Sequence, residues 1–235
     1  MKKFYLLLVG VGVVGAGVIG WQVMGPKSVS IPANVVISSA DTAGFRGYVI
    51  GSDSAPVTIV EYADFQCPAC GDFDNVQWPS VYEQLVATGK VRWIFKDWPI
   101  DGIHANARLA AHAAACADDQ GKFWPMKARL YAYQGRWAFG SGQYGKFRDY
   151  IKEVGADQSQ WDACMQATRH AGRIQATSEE GTRLGVNSTP TFLIGGRLYE
   201  GVQPSDALRR MVDSMIAARP AAVGRPSAPK APATR

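Results

Sequence analysis

Cys67 and Cys70 are two residues apart, with Pro68 and Ala69 between them. Two thiols at that spacing close a reversible disulfide within one helical turn. The apolar run Val57 to Tyr62 comes before them and a helix-like run follows. A first cysteine at a helix N-terminus meets unpaired backbone N–H groups and the positive end of the helix dipole, and both favour the thiolate. The thiolate is the form that attacks a disulfide. Cys67 is therefore the expected nucleophile and Cys70, on the same face, the resolving thiol. Pro68 suits the first turn, where a missing N–H costs nothing. A second CxxC or a CxxH, which a zinc knuckle needs, is missing.

Two further segments carry polar chemistry. Glu61 interrupts a run that otherwise reads as a buried strand, where a charge is costly. A buried carboxyl there has a raised pKa and can exchange a proton with a nearby thiol. The pattern equally allows Glu61 on a solvated strand face. Thr189 and Pro190 open the apolar run Thr191 to Ile194, a position where a strand tolerates proline.

The elements that must position these groups follow from periodicity. Trp78, Val81, Tyr82, Leu85 and Val86 share one helix face, Gly89 stops that helix, and Val91 to Phe95 alternates as a strand. Residues 103–185 read as helical, with Ile103, Ala107, Ala110 and Ala114 on one face and Phe123, Met126 and Leu130 on another. Gln134 to Gly145 reads as a loop. Tyr144 to Val154, Ser159 to Thr168 and Gly172 to Leu184 are further helices. Thr191–Ile194 and Arg197–Tyr199 flank Gly195-Gly196 as a hairpin, and Pro204 to Ala218 is the last helix.

In order and composition these pieces resemble the thioredoxin superfamily, most closely its DsbA-like branch, over about Gly47 to Ala218. The resemblance implies an α/β, thioredoxin-like fold with an inserted helical domain. It places Glu61 at the family's buried acid. It also makes Thr189-Pro190 the cis-proline loop, which faces the CxxC and hydrogen-bonds substrate backbone, with Phe65 and Pro190 bordering the groove. Ala113 to Ala117 and Gln120 to Trp124 look like the inserted region. One departure is Ala69, where the best-known oxidases of the family carry a histidine; no cation is present there to favour the thiolate further. With Cys67 and Cys70 paired, Cys116 and Cys164 remain. A structural disulfide between them is expected, against free thiols or a metal held with His112 and His170.

The 235 residues suffice for one substantial domain with extensions, and 47% are hydrophobic. Phe4 to Gly25 is an uncharged stretch after Lys2 and Lys3, with Tyr5 and Trp21 near its ends. It is long enough to span a bilayer, so residues 1–25 read as an anchor, or as a cleaved signal peptide in the alternative, with the remainder outside. Residues 26–45 form a tether, too short for the dimerisation domain of the family's isomerases. Residues 46–218 form the domain, and 219–235 a Pro/Ala-rich basic tail expected to be disordered. The net charge of +5 comes from the ends: without Lys2, Lys3, Lys27, Arg219, Arg225, Lys230 and Arg235, 18 basic residues face 20 acidic ones. Nucleic-acid binding is not indicated.

These readings converge on an extracytoplasmic thiol–disulfide oxidoreductase of the periplasmic face, without a cofactor. The resemblance implies that it introduces disulfides into exported cysteine-containing proteins and is reoxidised by a quinone-linked membrane partner. A reductase or isomerase using the same pair is the alternative, and a chaperone or thiol-based metal carrier is a more distant one.

Overall fold

The computed structural model describes residues 29–219. Five strands form one sheet in the order β1-β3-β2-β4-β5: β1 Tyr48–Ile50, β2 Val57–Ala63, β3 Val91–Asp97, β4 Thr191–Ile194 and β5 Arg197–Glu200. β2 lies at the centre, parallel to β3 and antiparallel to β4. Ile59, Glu61, Tyr62 and Ala63 are therefore covered on both sides, as a central strand demands.

The helices, in chain order, are α1 Ser39–Thr42, α2 over residues 68–86, α3 Ala107–Asp118, α4 Phe123–Ala132, α5 Gln134–Trp137, α6 Gln143–Glu153, α7 Gln158–Gln166, α8 Ala171–Arg183 and α9 Ser205–Ala217. Helix α2 widens into π turns at Phe73–Gln77 and Tyr82–Val86. Pro79 lies within it and supplies no N–H to the helical ladder. Gly89, at φ 74°, ends it in the left-handed region that glycine adopts without strain.

Two cores result. Phe73, Val81 and Leu85 of α2 and Leu208 and Val212 of α9 pack with Ile59, Trp93 and Phe192 of the sheet. The second core joins the sheet to the helical insert. There the small faces of Ala110, Ala113 and Ala114 admit Phe147 and Trp161, and the Trp161 Nε1–H donates to the Ala113 carbonyl at 2.9 Å. Residues 29–45 run along α8: Ile31 is buried, the Asn34 N–H donates to Gln175, and Arg173 stacks on Phe45.

Two expectations need correction. Gln134 to Gly145 is not one loop. Trp137 is fully buried and donates to the Leu130 carbonyl at 2.8 Å, which winds Gln134–Trp137 into a helical turn, and α6 begins at Gln143. Ile103 does not extend the face of α3, because it precedes the helix in a turn and is 72% exposed. The expected membrane anchor and basic tail lie outside the described residues; among the described ones no helix is long and apolar enough to cross a membrane.

Candidate functional site

Cys67 is the N-cap of α2, and Pro68 occupies its first turn. The turn before it is tied by Asp64. The Asp64 carbonyl accepts from the Cys67 N–H at 3.1 Å, and its carboxylate accepts from the N–H groups of Gln66 and Ile100 and contacts His104 Nδ1. Opposite stands the loop before β4, where the Thr189–Pro190 peptide is cis. The Cys67 thiol donates to the Thr189 carbonyl at 3.4 Å. The chain thus brings residues 67 and 189 into contact from distant positions.

Both thiols of the pair are free and buried, and they differ in acidity. The Cys67 thiol is held down to about 6, chiefly by the hydrogen bond from Cys70, with help from the Thr189 side chain and the backbone N–H groups of Cys70 and Ala69, against the opposing effect of burial. Burial pushes Cys70 well above the ordinary thiol range, and the neighbouring Cys67 and the charge of Glu61 add to it. One cysteine is a thiolate at neutral pH and its partner holds its proton.

Glu61 lies on the fully covered face of β2. Burial raises its carboxyl to about 7, opposed by the charge of Lys127 and the hydrogen bond from Trp93. Trp93 Nε1–H donates to Oε2 at 3.0 Å, and Oε1 has no protein partner among the described residues. Lys127 of α4 is buried against Asp74 of α2 as an ion pair, with the rings of Trp78, Tyr131, Phe95 and Trp124 around its Nζ at 5.0–5.8 Å. Sequence reasoning missed this pair. Asp74 follows Cys70 by one helical turn, and Lys127 sits in the buried stripe Phe123, Met126, Leu130, a place where a lysine is unusual.

Phe65 is a third correction. Its ring is 1% exposed and packs between Phe95 and Tyr131, so it belongs to the core and borders no groove. The apolar side chains left open on the nearby loops are Phe139 and Ile103, at 81% and 72% exposure. The loop carrying Phe139 is fixed to the active-site turn through Gln66, whose Nε2 donates to the Ala138 carbonyl at 2.6 Å.

Cys116 and Cys164 are joined as a disulfide across α3 and α7, with Cα atoms 5.8 Å apart. His170 lies beside them, and the three could form a metal cluster only with the sulfurs released. Burial pushes His112 down to about 3, so its ring is neutral.

Comparison with known proteins gives three kinds of likeness. Residues 45–214 match a family model described as thioredoxin. Over 172 residues the chain is 35% identical to a Salinispora tropica protein named Na(+)/H(+) antiporter NhaA 3, covering 73% of this chain and 25% of that one. It is 26% identical over 171 residues to the probable disulfide bond formation protein D of Bacillus anthracis, covering 71% and 77%. The chain therefore spans about a quarter of the length of the antiporter-named relative. Oxidised BdbD from Bacillus subtilis shares the fold, with a TM-score of 0.66 at 20% identity, covering 81% of this chain and 100% of that one.

Proposed function

We propose that this chain, which belongs to the thioredoxin family and has the fold of its DsbA-like branch, is a thiol–disulfide oxidoreductase acting on cysteine-containing proteins. The observation that carries the reading is the asymmetry of the pair: Cys67 ionised near 6, Cys70 protonated and buried behind it. The name of the Bacillus anthracis relative supports the same chemistry.

The working direction is oxidation. A substrate thiolate attacks Sγ of Cys67 in the Cys67–Cys70 disulfide, forming a mixed disulfide and releasing Cys70 as a thiolate. Glu61, with a carboxyl near 7, is the group that returns a proton to Cys70. A second substrate thiolate then attacks the substrate sulfur, and Cys67 leaves as a thiolate, the easier departure for its low pKa. The two electrons now on the pair pass to a quinone-linked membrane partner. Thr189 and Pro190 present backbone to the substrate chain beside Cys67. The site faces the periplasm or an equivalent extracytoplasmic space, with residues 1–25 as the anchor.

Ala69 favours a second reading, reduction or isomerisation by the same residues, because it adds no cation to stabilise the thiolate. The deciding experiment is turnover of a reduced, cysteine-containing protein by the wild type and by Cys67→Ser, with the reduction potential of the wild-type pair measured alongside. Substrate oxidation lost with Cys67→Ser carries the assignment; turnover retained by that variant refutes it. A potential near or below about −270 mV, thioredoxin's region, moves the direction to reduction.

A further inference from the structure

The helical insert holds the active-site turn by one side chain that the mechanism above does not use. Gln134, the first residue of α5, donates Nε2–H to two carbonyls of that turn, Phe65 at 2.7 Å and Cys67 at 2.9 Å. The second contact has a particular weight. Pro68 has no N–H, so hydrogen bonds can hold the Cys67–Pro68 peptide plane only by its carbonyl. That carbonyl accepts from two groups, the Gly71 N–H of α2 at 3.1 Å and Gln134. The plane's orientation sets how Cys67, at ψ 123°, leads into α2, and hence how the Ala69 and Cys70 N–H groups meet Sγ.

Gln134 is itself immobilised. Trp137, one turn on, is buried and bonded to the Leu130 carbonyl. The end of α5 is caught by the active-site turn in return. Gln66 donates to the Ala138 carbonyl and accepts from the Asn106 N–H, each at 2.6 Å, and Asn106 Nδ2 donates to the Ala138 carbonyl at 3.1 Å. The two glutamines thus cross between turn and insert in opposite directions. Gly71 leaves the space that Gln134 needs: a Cβ at that position would come within 2.8 Å of Gln134 Oε1.

We propose that Gln134 is a positioning residue for Cys67: the insert, through this amide, fixes the Cys67–Pro68 peptide plane so that the helix N–H groups stay aimed at the nucleophilic sulfur. This rests on the reading of Cys67–Cys70 as the exchanging pair. Gln134 touches neither thiol, so its effect is on the balance between dithiol and disulfide and on nucleophilicity. The titratable groups around Cys67 are Cys70 on its own helix, Glu61 on β2 and Asp64 after β2. Substituting Gln134 by a neutral side chain alters none of their charges directly.

Two substitutions in the full-length chain break the contact from opposite sides. Gln134→Met keeps the volume and removes the donor. Gly71→Ala keeps the donor and pushes it away, while raising helix propensity. Each should make the pair about tenfold easier to oxidise in glutathione buffers, a fall of about 30 mV, because the thiolate loses about one charge-assisted hydrogen bond's worth of support. Each should also slow iodoacetamide alkylation of Cys67 at pH 6. The double variant should match the singles, since both remove one contact. The proposal is overturned if both single variants stay within twofold of wild type in both readouts, if only the melting temperature moves, or if the double effect is the sum of the singles. A wild type that does not exchange with glutathione overturns the exchange reading itself, and the positioning role with it.

Discussion

Replacing Cys70 with alanine isolates what sets the acidity of Cys67. The strongest influence on that thiol is the hydrogen bond from Cys70, ahead of Thr189 and the helix N–H groups. A hydrogen bond to a charged acceptor contributes about 1.5–3 kcal/mol, and one pKa unit corresponds to about 1.4 kcal/mol. Cys70→Ala should therefore raise Cys67 from about 6 by roughly one to two units, to about 7–8. The remaining donors keep it below the free-thiol value. At pH 7 the thiolate fraction falls from about 90% to between about 50% and 10%, by the titration equation applied to those values. Cys70→Ser, whose hydroxyl still donates, should restore most of the depression. The assay is absorbance of the thiolate at 240 nm against pH, with the alkylation rate as a second readout. In the reduced wild type the signal below pH 9 belongs to Cys67, because Cys70 is pushed far above that range and the other two cysteines are bonded. An unshifted midpoint in Cys70→Ala refutes the reasoning and returns the whole effect to the helix N-terminus.

Glu61→Gln should slow disulfide turnover by about a hundredfold, the low end for a lost general acid, and remove the inflection near pH 7 from its pH profile. The same variant tests linkage. A carboxyl raised from 4.5 to about 7 in the folded state costs nothing below pH 4.5, costs progressively more up to pH 7, and a constant amount above it. Glu61→Gln should thus gain up to about 3 kcal/mol in urea unfolding at pH 8 and nothing at pH 4; equal shifts at both pH values exclude the carboxyl's ionisation as the cause. Cys116→Ala combined with Cys164→Ala opens a loop of 48 residues and should cost about 4 kcal/mol in the same assay, with the Cys67 titration unchanged. A loss below about 1 kcal/mol would remove the bridge as a stabilising element.

The parts of the site that sequence made legible are local ones. Cys67, Pro68 and Cys70 are read from a strand before and a helix after, within a single stretch of chain. The hairpin at Gly195-Gly196 and the helix after Pro204 are local in the same way. Glu61 could not be assigned from alternation, because its neighbours Ile59, Val60 and Tyr62 are apolar on both faces, and only packing shows that Thr58 and Val60 lie on the more open face and Glu61 on the covered one. Phe65 was misread because a residue beside a catalytic turn can point inward: Phe95 and Tyr131, 30 and 66 positions on, close over its ring. Gln134 was hidden in a segment that reads as a loop, and its role depends on the Trp137 burial that makes the segment helical. Groups that reach the site from the insert leave no mark at the spacing of the cysteines.

Charge balance explains why the insert matters for the chemistry as well as for the packing. Behind Cys70 lie two acids, Glu61 and Asp74, and one cation, Lys127. Lys127 is in direct contact with Asp74, while Glu61 receives a neutral donor, Trp93, on one oxygen and, among the described residues, nothing from protein on the other. Two carboxylates and one ammonium would leave a net negative charge among largely buried side chains, where an uncompensated charge is costly. Burial is the main reason that the carboxyl of Glu61 titrates near 7; the neighbouring Asp74 adds to the rise, and Lys127 and the Trp93 hydrogen bond oppose it. A protonated acid beside a thiol that must leave as a thiolate is a proton source at the moment of exchange. When Cys70 again gives up its proton to re-form the disulfide, the same carboxyl is the group that can take it back. The lysine that opposes this rise comes from α4, so the insert supplies the cation whose charge moderates the effect of burial on the Glu61 carboxyl.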